Sequence, residues 1–362
     1  MTPVTVSVGP AAAPHYHVEI GPGLAAGLNA LLDRHGVGPR RMVATAGPVW
    51  RAVRPALPAA FRAVEPILLP DGERFKTLAT VARVYEAFAR AGADRQTAVV
   101  AIGGGVLGDT AGFAAATFLR GLPLVHVPTT LLAQVDSSIG GKVGVNLAQG
   151  KNLVGAFHRP RVVVIDPQLL DSLPRREFRA GMYEVIKYGM IADPELFDRV
   201  ARDLKAVLAR TPDALGPVVA ACCRIKARVV GEDEREGGQR RVLNFGHTAG
   251  HALEAISKYR RFRHGEAVAY GMIAAVHLAV ARKALDPGAR DALLQLITKM
   301  GPLPPVLDLS TSDALDAMRR DKKVLNGRLH FVLPTAIGAV TIVDDVREEE
   351  LRKALRETGL RE

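Results

Sequence analysis

The feature that most constrains the fold is an alternation of short apolar runs with helical stretches over the first 166 residues. Five runs rich in β-branched and aliphatic residues are typical of buried strands, at 41–45, 64–69, 98–102, 124–128 and 161–165. Such alternation predicts an α/β layer with a mostly parallel sheet. Two leading segments, 4–8 and 17–20, predict a hairpin in front of this layer.

The second half of the chain has a different pattern. Segments with helical character follow one another after Pro174, at 177–190, 193–209, 212–230, 247–257 and 266–283. Strand-like runs are confined to 329–333 and 338–343, which predict a small hairpin. The sequence therefore predicts an α/β, Rossmann-like N-terminal domain with a mostly parallel sheet over residues 1–174, followed by an all-α C-terminal domain over residues 175–362.

Charge and cysteine content narrow the functional class. Lys and Arg outnumber Asp and Glu by 48 to 37, which gives a formal net charge of +11. The basic residues are scattered and match no zinc-finger or RNA-recognition pattern, so nucleic acid is not predicted as a partner. The adjacent cysteines Cys222 and Cys223 cannot form an ordinary disulfide, and no apolar run is long enough to span a membrane. We expect a cytoplasmic protein with no membrane partner.

A glycine-rich turn, Gly-Gly-Gly-Val-Leu-Gly-Asp at 103–109, joins a predicted strand to a predicted helix. Bare backbone N–H groups and the positive end of a helix together form a diphosphate cradle. The spacing differs from the common Gly-x-Gly-x-x-Gly pattern, so a tight turn without a ligand remains an alternative. Polar groups also follow two other strands, at 71–76 and at Thr129 and Thr130, where ligands of open α/β sheets collect.

Two histidines four residues apart, His247 and His251, share one face of a predicted helix. This spacing can bind zinc, and His264 and Glu184 are further candidate ligands. Two imidazoles and a carboxylate would leave coordination positions open for a substrate. The spacing alone does not decide whether His247 or His251 is the ligand, and histidines satisfied by core hydrogen bonds are the alternative.

Longer motifs resemble the 3-dehydroquinate synthase family over about residues 65 to 340. In chain order they are Asp71-Gly-Glu-x-x-Lys76, Gly103-Gly-Gly-Val-x-Gly-Asp109, Phe118-Leu-Arg120-Gly121, the block 127–146 with Asp136 and Lys142, Gly150-Lys151-Asn152-Leu-Val-Gly-Ala-Phe157, Glu184-Val-Ile-Lys187-Tyr-Gly189, Leu243-Asn244-Phe-Gly-His247-Thr-x-Gly-His251 and Asp321-Lys-Lys323. Such a series in one order is specific. The resemblance implies an NAD-binding N-terminal domain, a helical domain that carries a metal, and an active site between them.

The resemblance also implies particular binding residues. It places NAD along Asp71, Gly72, Glu73, Arg74, Phe75, Lys76, Gly105, Val106, Leu107, Gly108, Asp109, Thr129, Thr130, Lys142, Lys151, Leu169, Leu170, Asp171 and Ser172. It makes Glu184, His247 and His264 the metal ligands, with Zn²⁺ the expected ion and Co²⁺ an alternative. His251 is assigned to the substrate phosphate instead.

The implied substrate is 3-deoxy-D-arabino-heptulosonate 7-phosphate, which has a carboxylate at one end and a phosphate at the other. Lys226 and Arg240 match carboxylate-binding positions. The phosphate side is matched by Asn152, Asn244, His251 and either Lys322 or Lys323. Arg120 matches a position that can reach the partner subunit, which implies a homodimer. The implied catalytic residues are Asp136, Lys142, Lys187, Glu184 and His251; the first three would hold hydroxyls and developing negative charge near the metal.

The implied reaction yields 3-dehydroquinate and phosphate by transient oxidation with NAD, phosphate elimination, re-reduction and intramolecular aldol cyclisation, a step of the shikimate pathway. Two alternatives remain. Another sugar phosphate cyclase, such as 2-deoxy-scyllo-inosose synthase, takes a substrate without a carboxylate and would not need the Lys226 and Arg240 cations. A glycerol-dehydrogenase-like oxidoreductase would release NADH in stoichiometric amounts.

Overall fold

The computed structural model describes residues 4–8, 15–320, 324–325 and 328–362. The strands are β1 (Val4–Val8), β2 (Tyr16–Ile20), β3 (Arg41–Ala46), β4 (Ile67–Leu69), β5 (Ala98–Gly103), β6 (Leu124–Pro128), β7 (Lys142–Leu147), β8 (Gly150–Phe157), β9 (Val162–Ile165), β10 (Val324–Leu325), β11 (Arg328–Leu329), β12 (Phe331–Ala336) and β13 (Ala339–Val343). The α-helices are α1 (Leu28–Arg34), α2 (Gly47–Val53), α3 (Ala59–Arg62), α4 (Leu78–Arg90), α5 (Gly105–Thr117), α6 (Arg175–Ala192), α7 (Pro194–Leu208), α8 (Pro212–Glu232), α9 (His247–Ile256), α10 (His264–Ala281), α11 (Pro287–Lys299), α12 (Thr311–Arg319) and α13 (Glu348–Arg356).

The chain divides into two compact units. The first comprises Met1–Phe178 and Ala209–Glu234, and the second comprises Arg179–Leu208 and Arg235–Glu362. The division falls inside α6, and α8 packs with the first unit, where it contacts β1. The domains predicted at 1–174 and 175–362 differ from this division mainly by the segment that contains α8, and their boundary stays a prediction.

The first unit is built on a seven-stranded sheet in the order β1-β2-β9-β6-β5-β3-β4. β1 pairs antiparallel with β2, and the other six strands run parallel. β5 is buried throughout: Val100 and Ile102 pack in the core on the side of α1 and α2, whereas Val99 and Ala101 pack on the side of α4 and α5. Burial on both faces explains the continuous apolar runs. The predicted Rossmann-like α/β class is confirmed.

A hairpin of β7 and β8 lies in the motif block where no strand is predicted. Its strands pair antiparallel, with Gly144 opposite Gly155. A Cβ on Gly144 would lie 2.5 Å from the Val154 carbonyl oxygen, and one on Gly155 would lie 2.4 Å from that of Val143. The glycines therefore allow this pair of strands to approach closely, and their lack of side chains hides the alternation that normally indicates a strand.

The second unit is mostly helical, which confirms the predicted character of this part of the chain. It also contains the antiparallel hairpin of β12 and β13, where Phe331 pairs with Val343, and the short pair of β10 and β11. The hairpin expected at 329–333 and 338–343 is thus present, with its first strand beginning two residues later. The description "all-α" therefore has to be extended by these strands.

One helix in the described residues, α10, is long and apolar enough to cross a membrane by length and composition alone. In this structure 72% of its span is buried inside the protein. An internal core helix has the same properties, because its neighbours take the place of an apolar solvent. α10 contacts α9, α11, α13 and β12, as expected for the central helix of the second unit.

Candidate functional site

The glycine turn of the first unit lies between β5 and α5, as the sequence predicts. Gly104 is the residue before the helix, and no side chain caps the helix start. A Cβ on Gly104 would lie 3.0 Å from Thr130 Cγ2, and one on Gly105 would lie 2.7 Å from Ser137 Oγ. Side chains are thus excluded here by neighbours on the next strand–helix connection. The turn presents bare backbone at a helix start, which is the arrangement that binds diphosphates.

A polar network joins three of the predicted binding segments in the first unit. The buried Lys76 ammonium donates to Asp109 Oδ2 at 2.6 Å and to Asn152 Oδ1 at 2.5 Å. Asn146 donates through Nδ2 to Glu73 Oε1 at 2.7 Å, and its Oδ1 accepts from the Asn152 backbone N–H at 2.8 Å. Burial raises the pKa of Asp109, and the positive charge of Lys76 opposes that rise. The segment 71–76, the glycine turn and the β7–β8 hairpin are therefore held together.

The other residues predicted to bind NAD differ in whether the side chain or only the backbone could contact a ligand. The Thr129 backbone N–H donates to the Gly103 carbonyl at 3.0 Å, which ties the end of β6 to the glycine turn. Leu169 and Leu170 have buried side chains, so only their backbone could meet a ligand. Backbone carbonyls of Leu170 and Asp171 accept from the Arg210 guanidinium at 2.5 and 2.8 Å. Their proposed role in binding NAD remains a prediction.

Two predicted substrate residues of the first unit are paired with each other. Lys226 Nζ lies 2.7 Å from Asp136 Oδ1, and the Lys226 side chain is 8% exposed. Lys142 and Arg120 are both exposed. Arg120 follows Leu119 and precedes Gly121 in a turn where all three residues have positive φ. The structure thus brings together Asp136 and Lys226, which lie 90 residues apart in the sequence.

The histidine cluster lies in the second unit. One ring nitrogen from each of His247, His251 and His264 lies within 4.8 Å of the other two. Glu184, on α6, contributes a carboxylate: its Oε1 lies 3.7 Å from His247 Nε2 and 3.8 Å from His264 Nε2. His247 Nδ1 lies 3.1 Å from the Phe245 carbonyl, so it can donate there and leave Nε2 free of its proton. Glu184 therefore lies next to two of the three clustered histidines.

Glycines explain why these helices approach closely enough. Gly246 precedes α9 with φ +77°, and a Cβ on Gly271 of α10 would lie 1.7 Å from the Gly246 carbonyl oxygen. A Cβ on Gly265 would lie 1.9 Å from the Ala180 carbonyl oxygen of α6. α10 begins at His264 because Glu266 accepts the Arg263 backbone N–H at 2.8 Å, as in a capping box. Glycines of α10 thus allow it to pack closely against α6 and against the start of α9.

Glu184 is the group that most needs a further partner. It is 1% exposed, and within the described residues neither carboxylate oxygen receives a hydrogen bond of good geometry, although Oε2 makes an ion pair with Lys187. A buried carboxylate that is paired with a single ammonium group still has lone pairs to satisfy. Imidazole nitrogens around a carboxylate oxygen are a donor set that suits zinc or cobalt. The residues therefore fit a divalent cation.

Two of the remaining predicted substrate residues of the second unit, Arg240 and Asn244, lie just before α9. Arg240 is 3% exposed on the short helical turn Gln239–Asn244, and Asn244 Nδ2 lies 3.3 Å from Glu236 Oε1. Lys187 is 1% exposed. Lys322 lies outside the described residues. A further buried carboxylate, Glu254, was not predicted; its position three residues after His251 on the same helix is the signal that could have found it.

Two family models match consecutive parts of the chain. A family model described as 3-dehydroquinate synthase N-terminal matches residues 66–180, and one described as 3-dehydroquinate synthase C-terminal matches residues 181–324. A 3-dehydroquinate synthase of Geobacter metallireducens is 48% identical over 353 residues, which cover 95% of this chain and 96% of that protein.

Solved structures of two further synthases are similar to this chain over nearly its whole length. One of 2-epi-5-epi-valiolone synthase from Streptomyces hygroscopicus subsp. jinggangensis, with NAD⁺ and Zn²⁺ bound, has a TM-score of 0.88 and 29% identity over 97% of this chain and 98% of that one. One of 2-deoxy-scyllo-inosose synthase, complexed with carbaglucose-6-phosphate, NAD⁺ and Co²⁺, has a TM-score of 0.85 and 29% identity over 98% of this chain and 100% of that one.

This chain, with a glycine turn in its Rossmann-like unit and a histidine–carboxylate cluster in its helical unit, has the fold of this class of synthases. The matches to both family models, and the identity to the Geobacter protein over nearly the whole length, place this chain within that class. The chain belongs to the 3-dehydroquinate synthase family.

Proposed function

We propose that this protein is a 3-dehydroquinate synthase, which converts 3-deoxy-D-arabino-heptulosonate 7-phosphate to 3-dehydroquinate and phosphate. The observation that carries the proposal is the buried Glu184 carboxylate, which lacks good hydrogen bonds and lies within 3.8 Å of two imidazole nitrogens. We assign a divalent metal to Glu184, His247 and His264, and NAD to the glycine turn and its neighbours. When bound, NAD supplies a hydride acceptor and donor, and the metal supplies a Lewis acid.

The residues of this chain would bind and orient the substrate. Lys187, paired with Glu184, brings a buried positive charge to the place where a substrate hydroxyl would lose its proton. Arg240 would bind the carboxylate, since a guanidinium can donate two parallel hydrogen bonds to it. Lys226 would do so in exchange for its contact with Asp136. We assign His251, Asn152, Asn244 and Lys322 to the phosphate.

Two further features of the proposal come from the sequence. We infer a homodimer to which the exposed Arg120 contributes, and a cytoplasmic location. A reducing compartment suits the two buried cysteines, Cys222 and Cys223, neither of which is in a disulfide. Both features stay predictions.

The proposed reaction consumes no NAD overall, because the hydride that leaves the substrate returns to it. Incubation with the heptulosonate phosphate, Zn²⁺ and NAD at far less than one equivalent of substrate is expected to release one phosphate per substrate with no net NADH. Phosphate release and absorbance at the NADH maximum are measured together. Accumulation of NADH would instead indicate an alcohol dehydrogenase, and turnover of glucose 6-phosphate would indicate a 2-deoxy-scyllo-inosose synthase.

Arg240→Ala tests the choice of substrate within the family. Loss of one partner of a buried charged contact costs about 2 to 5 kcal/mol, so kcat/KM for the carboxylated substrate is expected to fall by roughly 30-fold to several thousand-fold. NAD binding, measured by protein fluorescence, is expected to stay unchanged. The matched control is Arg241→Ala, which removes the neighbouring and more exposed arginine. Equal kinetics of wild type and Arg240→Ala would favour a substrate without a carboxylate.

A further inference from the structure

A second buried carboxylate lies behind the histidine cluster. Glu254, on α9, is 4% exposed, and its Oε2 lies 3.5 Å from His264 Nδ1. The other ring nitrogen of His264, Nε2, faces Glu184 Oε1 at 3.8 Å. The imidazole of His264 therefore lies between two carboxylates, one on the side of the candidate metal centre and one on the opposite side of the ring.

The two ring nitrogens of His264 need different protonation states. A neutral imidazole can bind a cation through Nε2 only when its proton is on Nδ1, and an acceptor next to Nδ1 favours that tautomer. Glu254 Oε2 is such an acceptor. His247 meets the same requirement by another route, because its Nδ1 lies 3.1 Å from the Phe245 carbonyl oxygen. Both histidines of the proposed ligand set, His247 and His264, thus have an acceptor next to Nδ1.

The position of Glu254 on α9 is unfavourable for a negative charge. The residue is in the last turn of a helix that ends at Ile256, where the negative end of the helix disfavours a carboxylate. The Tyr259 N–H, at 2.7 Å, and the Ser257 hydroxyl, at 3.1 Å, donate to the Glu254 backbone carbonyl. Burial also disfavours an ionised group unless it has a partner.

We propose that Glu254 is a positioning residue of the metal centre. Its carboxylate accepts the Nδ1–H of His264, fixes the orientation of the ring and directs the lone pair of Nε2 toward the ion; Glu254 itself does not touch the ion. Its negative charge also offsets part of the charge that a divalent cation brings into the site. The inference rests on the proposed metal site of Glu184, His247 and His264, and it adds a residue behind that site.

The test measures metal affinity and not turnover. Metal-free protein is titrated with Co²⁺ and with Zn²⁺ in competition with a chromophoric chelator, and the cobalt absorption spectrum is recorded. Because partners behind a ligand typically change affinity by 10- to 100-fold, Glu254→Gln is expected to weaken binding about tenfold and Glu254→Ala about 100-fold. The same titrations are made in a His264→Ala background, where Glu254→Gln is expected to have no further effect.

The control is a half-buried carboxylate of the same unit, Glu350, which is not assigned to the metal centre. Glu350 accepts from Arg282 at 2.9 Å, so Glu350→Gln is expected to lower the melting temperature while leaving metal affinity unchanged. Equal affinity of wild type and Glu254→Gln would overturn the proposal, as would an equal loss with and without His264. If the wild type binds neither ion, the proposed metal site itself is wrong, and the inference with it. Should Glu254→Gln not fold, Glu254→Asp replaces it, with weakened binding that again depends on His264.

Discussion

Glu184→Ala is expected to remove the bound divalent ion and, with it, turnover. The carboxylate is the one negatively charged member of the predicted ligand set, and it lies within 3.8 Å of both His247 and His264 through the same oxygen. A metal Lewis acid stabilises developing negative charge by several kcal/mol, so its loss is expected to lower kcat by roughly a thousandfold or more. Metal content after dialysis is measured by elemental analysis, and kcat by phosphate release.

His247→Ala and His264→Ala are also expected to lose the ion on dialysis, while each keeps a weakened site whose affinity is measured by titration at higher metal concentration. A matched control is Glu195→Ala, which removes an exposed carboxylate at the start of α7 in the same unit. That variant is expected to keep both metal and activity. Stoichiometric metal in the His264→Ala variant would show that the ligand assignment is wrong.

His251 distinguishes two ligand sets that the cluster admits. Its ring nitrogen lies within 4.8 Å of those of His247 and His264, so three histidines could bind an ion without Glu184. If His251 instead meets the substrate phosphate, His251→Ala keeps its metal and releases phosphate slowly in a single turnover. We expect this second result, because Glu184, His247 and His264 already supply three protein ligands, and a fourth would occupy a position needed for substrate oxygens. Loss of metal from a folded His251→Ala variant would show that His251 is a metal ligand and would reassign Glu184.

The sheet could be predicted from the sequence because its strands are buried on both faces. The run at 98–102 has no polar position, and in the structure it is an inner strand of the sheet, with cores on both sides. The β7–β8 hairpin could not be predicted in the same way. Gly144 and Gly155 face each other there, and residues without side chains carry no alternation of apolar and polar positions.

The candidate site could be predicted in part. Spacing placed His247 and His251 on one helix face, but the position of His264 depends on how closely α9 and α10 pack, which no local pattern encodes. Glu254 is a related case. Its distance of three residues from His251 is visible in the sequence, but its contact with His264 depends on the same packing. Local periodicity indicates which side chains share a helix face, whereas the geometry of a site made from three helices also depends on the distances between them.

That separation is set by glycines, and Gly271→Ala is expected to have the largest effect on stability. A Cβ at this position would lie 1.7 Å from the Gly246 carbonyl oxygen and 2.6 Å from its carbon, which are backbone atoms that cannot rotate away. α10 would have to move from α9, and overpacking of this kind costs about 3 kcal/mol or more. The melting temperature is expected to fall by roughly 6 to 12 °C, measured by circular dichroism.

The control for this variant is Gly27→Ala, because a Cβ there would meet only the Leu24 carbonyl oxygen at an ordinary 3.8 Å. Its melting temperature is expected to stay within a few degrees of wild type, since such substitutions change stability by about 1 kcal/mol or less. Displacement of α10 would also move His264 away from His247. Gly271→Ala is therefore expected to bind Co²⁺ more weakly even at temperatures where it remains folded. Wild-type stability together with wild-type metal affinity in this variant would show that the close approach of the two helices does not set the geometry of the metal centre.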